Sequence, residues 1–105
     1  MNTINSSSLS WDIYENKDGS VSYCADGNGF VTLEQITENG ITWFHITESQ
    51  GEPVADLEGV SLSEALEIAQ NQLAQSFPSM YKDLSYQFEC DIHVKEALTK
   101  IGFYK

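Results

Sequence analysis

The order of residues predicts an α+β domain: an antiparallel meander of about five strands with two helices packed on one face. Three features carry that expectation. Short runs in which apolar and polar residues alternate fill the first half of the chain. Turn-forming Gly, Asn and Asp separate those runs. The apolar period then changes from two to between three and four, the spacing of a helix face.

Residues 1–8, MNTINSSS, are polar and read as a tail, which places the domain over 9–105. In Leu9–Tyr14, Leu9, Trp11 and Ile13 alternate with Ser10, Asp12 and Tyr14, the pattern of a half-buried strand. Asn16-Lys17-Asp18-Gly19 follows, and Asp-Gly readily supplies the positive φ of a tight hairpin. Val21–Ala25 is the returning strand. Asp26-Gly27-Asn28-Gly29 turns into a β-branched and aromatic run, Phe30–Thr37. Glu38-Asn39-Gly40 turns again, and Asn-Gly is a strong hairpin signal. Ile41–Glu48 is the fourth run, and Ser49–Glu52 leads to a short fifth, Pro53–Leu57. Pro53 marks that run as a strand start or a sheet edge. Strands with such short connections pair with their sequence neighbours.

Ser61–Phe77 reads as a helix with both ends written in. Ser61 and Glu64 have the spacing of a capping box. Leu62, Ala65, Leu66, Ala69, Leu73 and Phe77 share one face, and Pro78 disfavours the α conformation at Phe77. Over residues 79–90 two periods compete. Tyr86, Phe88 and Cys90 alternate as in a strand, whereas Met80, Leu84 and Phe88 step by four as in a helix. The strand is the preferred reading. A final helix is expected from an N-cap at Asp91 to Ile101, with Val94, Ala97, Leu98 and Ile101 on one side. Gly102 stands at the C-cap, with Phe103 folding back onto the last turn.

Charge is the unusual property. The chain of 105 residues carries 16 acids against 5 lysines, has no arginine, and has a net charge of −11. No basic residue occurs from Asp18 through Tyr81, where ten of the acids lie. Nucleic-acid affinity comes largely from Lys and Arg neutralising phosphates, so direct binding of DNA or RNA is not expected. No apolar run approaches the roughly 20 residues of a membrane span. The polar N-terminus lacks a signal-peptide pattern, so the expected location is cytoplasmic.

The residues that carry chemistry elsewhere are sparse. His45 and His93 belong to no metal-binding spacing, and Cys90-x-x-His93 supplies two ligands where a structural zinc site takes four. Cys24 and Cys90 form no C-x-x-C pair, and Cys24 lies in the acidic stretch, unfavourable to a thiolate. Asp26-Gly27-Asn28-Gly29 lacks the remaining positions of a calcium loop. No phosphate-binding glycine loop or nucleophile elbow occurs. No enzyme activity, metal or cofactor is expected.

The run Ile41–Ile46 has large side chains on both faces, so one face looks toward a second cover. A partner protein and a homodimer are the two candidates. The resulting expectation is a non-catalytic binding module of the inhibitor, immunity or accessory type. Its partner would have a basic surface, and the module would present the charge of a nucleic acid. Asp26, Glu38, Glu48 and Glu52, on turns and strand ends, are the expected contact residues. The alternative is a small homo-oligomeric domain binding a small molecule in a cleft of Trp11, Tyr23, Trp43 and His45. The segment Pro53–Gly59 with Ser63-Glu64-Ala65-Leu66 resembles the strand-to-helix part of small antitoxin domains of the HicB type. That resemblance is confined to this segment, its glycine-to-helix spacing is shorter than in that family, and no residue role is taken from it.

Overall fold

The computed structural model describes residues 2–25, 30–48 and 51–100. The strands are β1 (Thr3–Asn5), β2 (Ser10–Glu15), β3 (Val21–Cys24), β4 (Val31–Glu38), β5 (Ile41–Glu48) and β6 (Glu52–Glu58). The helices α1 (Leu62–Ser76) and α2 (Pro78–Lys100) follow. The sheet has the order β1-β2-β3-β4-β5-β6, every neighbouring pair being antiparallel. This is the expected α+β meander with one strand more.

The turns obey the backbone chemistry of their residues. Asn39 and Gly40, at φ 53° and 79°, both adopt the left-handed region that a two-residue hairpin requires. At the β2–β3 turn Gly19 has φ 91°, and its N–H donates to the Asn16 carbonyl at 3.1 Å. The pairing of β5 with β6 slips between Ile46 and Thr47, whose partners are Ala55 and Pro53. Val54 is therefore an extra residue, a bulge next to a proline that has no N–H to give.

The additional strand, β1, replaces the expected tail. The serines that follow it, Ser6–Ser8, anchor it to α1 through hydroxyls and backbone N–H groups. Ser6 Oγ donates to Gln70 Oε1 at 2.6 Å and accepts from Trp11 Nε1 at 2.8 Å. The Ser8 N–H donates to the same Gln70 oxygen at 2.9 Å, and Glu67 accepts from the Ser7 N–H and hydroxyl. A polar segment is held because α1 presents Gln70 and Glu67 to it. Polarity along the chain is no guide to such a long-range partner.

The core lies between the sheet and α1. Leu9, Trp11, Tyr23, Val31, Leu33, Phe44 and Ile46 meet Ala65, Leu66, Ala69 and Leu73, all buried. Ser61 caps α1, its Oγ accepting from the Glu64 N–H at 3.1 Å. Burying such a stripe is the main source of a helix's stability in a protein of this size. Phe77 closes α1, donating its N–H to the Leu73 carbonyl at 2.8 Å, and stacks edge-on against Phe30.

Residues 79–90 are helical, not a strand. Pro78 occupies the first turn of α2, where its missing N–H costs nothing and its fixed φ suits the helix. Met80, Tyr81 and Leu84 pack against the core, so the four-residue period is the one the fold uses. Tyr86, part of the competing alternation, is 70% exposed. Asp91 consequently lies inside α2 and does not cap a separate helix. The expected turn at Asp26–Gly29 and the cap at Gly102 and Phe103 lie outside the described residues.

Candidate functional site

Strand register decides which side chains share a surface. The rows Tyr14–Ser22–Glu34–His45–Asp56 and Ile36–Trp43–Glu58 run across the sheet on one face. Asp12, Cys24, Thr32 and Thr47 form a further row on that face. Alternation puts Glu38 and its partner Ile41 there too. The core residues Tyr23, Leu33 and Ile46 occupy the opposite face, with α1. Ile36, Trp43, Tyr14 and Ile41 take no part in the core cluster, and Ile41 is 66% exposed. Over β4–β6 this second face is open among the described residues, whereas at the β1–β2 end Ser10 and Asp12 line a cleft with Leu84, Phe88 and Asp91 of α2.

Its centre is apolar and its surroundings are acidic. Trp43 has Ile36 on one side and Glu58 on the other. His45 lies between Glu34 and Asp56, and its Nδ1 contacts Asp56 Oδ1. Glu38 brings the carboxylates of the open part to four, with Asp12 set against α2, and none of the six strands contains a lysine or arginine. Side chains two apart on a strand recur at about 6.8 Å, and neighbouring strands are about 4.8 Å apart. Carboxylates at that spacing, with no basic strand residue among them, give this face a negative field.

The expected contact residues do not form one surface. Glu38 is exposed at the end of β4 and belongs to the open face. Glu48 points the other way, toward α1, where Gln72 Nε2 donates to it and Ser76 Oγ donates at 2.6 Å. Glu52 pairs with Glu48 and so lies on that same side at the sheet's end. Asp26 lies outside the described residues. Period-two alternation identified Ile41–Ile46 as two-sided, but only the register adds Glu34, Asp56 and Glu58 to its open side.

The four residues of the alternative cleft are likewise divided. Trp11 and Tyr23 are 0% and 4% exposed on the helix side, and Tyr23 donates its hydroxyl to Gln35 at 2.7 Å. Burial raises the Tyr23 pKa above 10.0. Trp43 and His45 are on the open face, across the thickness of the sheet. The clefts of the described chain instead follow α2. One depression of about 640 Å³ is lined by Phe77, Pro78, Met80 and Leu84. Another, of about 440 Å³, lies between β1 and α2, where Thr3 and Asn5 face Phe88, Ile92 and Val94.

Among the described residues, no three His, Cys, Asp or Glu side chains are grouped to hold a metal ion. Cys24 and Cys90 are both half-buried, and the Cys24 thiol meets Thr32 Oγ1 at 3.6 Å. No described helix is long and apolar enough to cross a membrane. No protein-family model matches the chain, and neither curated proteins nor solved structures provide a match.

Proposed function

We propose that this chain is a non-catalytic protein-binding module, of the inhibitor, immunity or accessory type, that applies its open sheet face to the basic surface of a partner. The observation that supports it is the pairing of an uncovered Ile36–Trp43 patch with four carboxylates, Glu34, Glu38, Asp56 and Glu58, and no cation on the strands. An apolar centre inside a charged rim is the arrangement of a protein interface, in which aromatic anchors supply affinity and the rim supplies steering. A groove that ordinarily holds nucleic acid has the matching sign. Carboxylates spread over a rigid sheet would substitute for phosphates there, and attraction over this field would accelerate encounter at low salt. A second copy fits this face poorly, because a two-fold contact would set carboxylates against carboxylates with no basic strand residue to relieve them.

The test is capture by the immobilised protein from extracts of its source, in parallel with Glu34→Gln, Glu38→Gln, Asp56→Asn and Glu58→Gln combined. A basic protein retained at low salt, released at high salt and lost with the neutralised variant is the expected outcome. Equal retention by the variant would remove the open face from the mechanism.

A further inference from the structure

The sheet has two edges, and they differ. At one, β1 is only three residues long and shares a cleft with Phe88, Ile92 and Val94 of α2. At the other, β6 pairs with β5 on one side, and its outer main chain has no partner among the described residues. Pro53 and the bulge at Val54 interrupt the start of this edge. Ala55–Glu58 then runs in regular register against Ile46, His45, Phe44 and Trp43. In an antiparallel ladder every second residue of an edge strand turns its N–H and C=O outward, a template for another strand.

Proteins commonly guard such an edge with lysine. Here the guards are acids. Asp56 and Glu58 face the open side, while Ala55 and Leu57 face the side of α1. Two copies of β6 would repel one another. An antiparallel pair centred on Asp56 opposes that residue to itself, and one centred on Ala55 opposes Glu52 to Glu58. The charges that reject a second copy favour a strand of the opposite sign.

We infer that the partner docks in part by adding a strand to β6: an extended segment with Lys or Arg at alternate positions and apolar residues between them. The basic side chains lie over the open face beside Asp56 and Glu58. The apolar ones continue the helix-side layer next to Ala55 and Leu57. Main-chain hydrogen bonds supply affinity and the alternation supplies specificity, the two parts of recognition by strand addition. This inference rests on the reading of the open face as a docking surface for a basic protein, and it specifies the partner's conformation.

The probes are two short, end-blocked peptides of identical composition, one alternating Lys and Val and the other with its lysines together. A third is the alternating peptide N-methylated at every second residue, on the edge that pairs. Binding is measured at low salt, and amide hydrogen exchange is followed residue by residue. The alternating peptide is expected to slow the outward amides within Ala55–Glu58 by about tenfold or more, a local protection that N-methylation abolishes. The segregated isomer is expected to bind without that protection. Equal protection by both isomers, or binding by both with none, overturns strand addition and leaves the acidic-face reading standing. If neither peptide binds, that reading falls and this inference falls with it. No substitution in the chain is needed, so misfolding cannot imitate either result.

Discussion

On the open face the imidazole Nδ1 of His45 meets Oδ1 of Asp56 across the β5–β6 pair. The Asp56 side chain is 71% exposed and that of His45 27%, so water screens the contact. A double-mutant cycle with His45→Asn and Asp56→Asn, read by urea unfolding, is expected to give a coupling below about 1 kcal/mol. A coupling of about 2 kcal/mol or more would make this pair an anchor of β6, beyond the usual range for exposed pairs.

The two tryptophans report on opposite sides of the sheet. Trp11 is fully buried, and Trp11→Ala is expected to cost roughly 3–5 kcal/mol, as for other large core truncations. Trp43→Ala, outside the core cluster, is expected to cost about 1 kcal/mol. In single-tryptophan variants, acrylamide should quench Trp43 and spare Trp11. Equal quenching would contradict a covered face opposite an open one.

The polar N-terminal segment is expected to contribute to stability. Ser6→Ala leaves the Trp11 Nε1–H without its partner, and Gln70→Ala removes the acceptor shared by Ser6 and Ser8. Each should lower unfolding free energy by about 1–3 kcal/mol, the cost of a buried polar group left unpaired. The double variant should lose less than the sum, because both residues belong to one network. Unchanged urea midpoints would mean that the segment frays in solution.

Asp18 gives a pH dependence whose sign follows from its contacts. Its carboxylate accepts from the Ser20 hydroxyl at 2.6 Å and from the Ser20 N–H at 2.9 Å. Those two hydrogen bonds hold its pKa below 3.8. A depressed folded-state value contributes stability that is present above the unfolded value and lost as pH falls through the folded one. Ser20→Ala should raise the Asp18 titration measured by NMR. The stability difference between wild type and variant should narrow as pH falls below 3.8. A titration unmoved by the substitution would assign the shift to another cause.

Much of the strand arrangement was legible because it is local. Period-two alternation, Asp-Gly and Asn-Gly turns and the capping box at Ser61 each act within a few residues of the chain. They determined the meander and α1 to within a residue or two at most ends, and the chain's charge is a property of composition alone. What tertiary structure decided is long-range. Gln70 and Glu67 convert a polar tail into β1, across a separation of more than 50 residues. Packing against the core selects the four-residue period of Met80 and Leu84 over the alternation of Tyr86 and Phe88.

The candidate site divides in the same way. Its acidity and the two-sided character of Ile41–Ile46 are written in the sequence. Its membership is not, because one residue of register moves a side chain through the sheet. Register places Glu48 toward Gln72, Trp11 in the core, and Glu34, Asp56 and Glu58 around Trp43 and His45. The sequence by itself determined which residues are charged and where the chain turns. Only the pairing of strands, set by burying one face under α1, decided which of those charges look outward together.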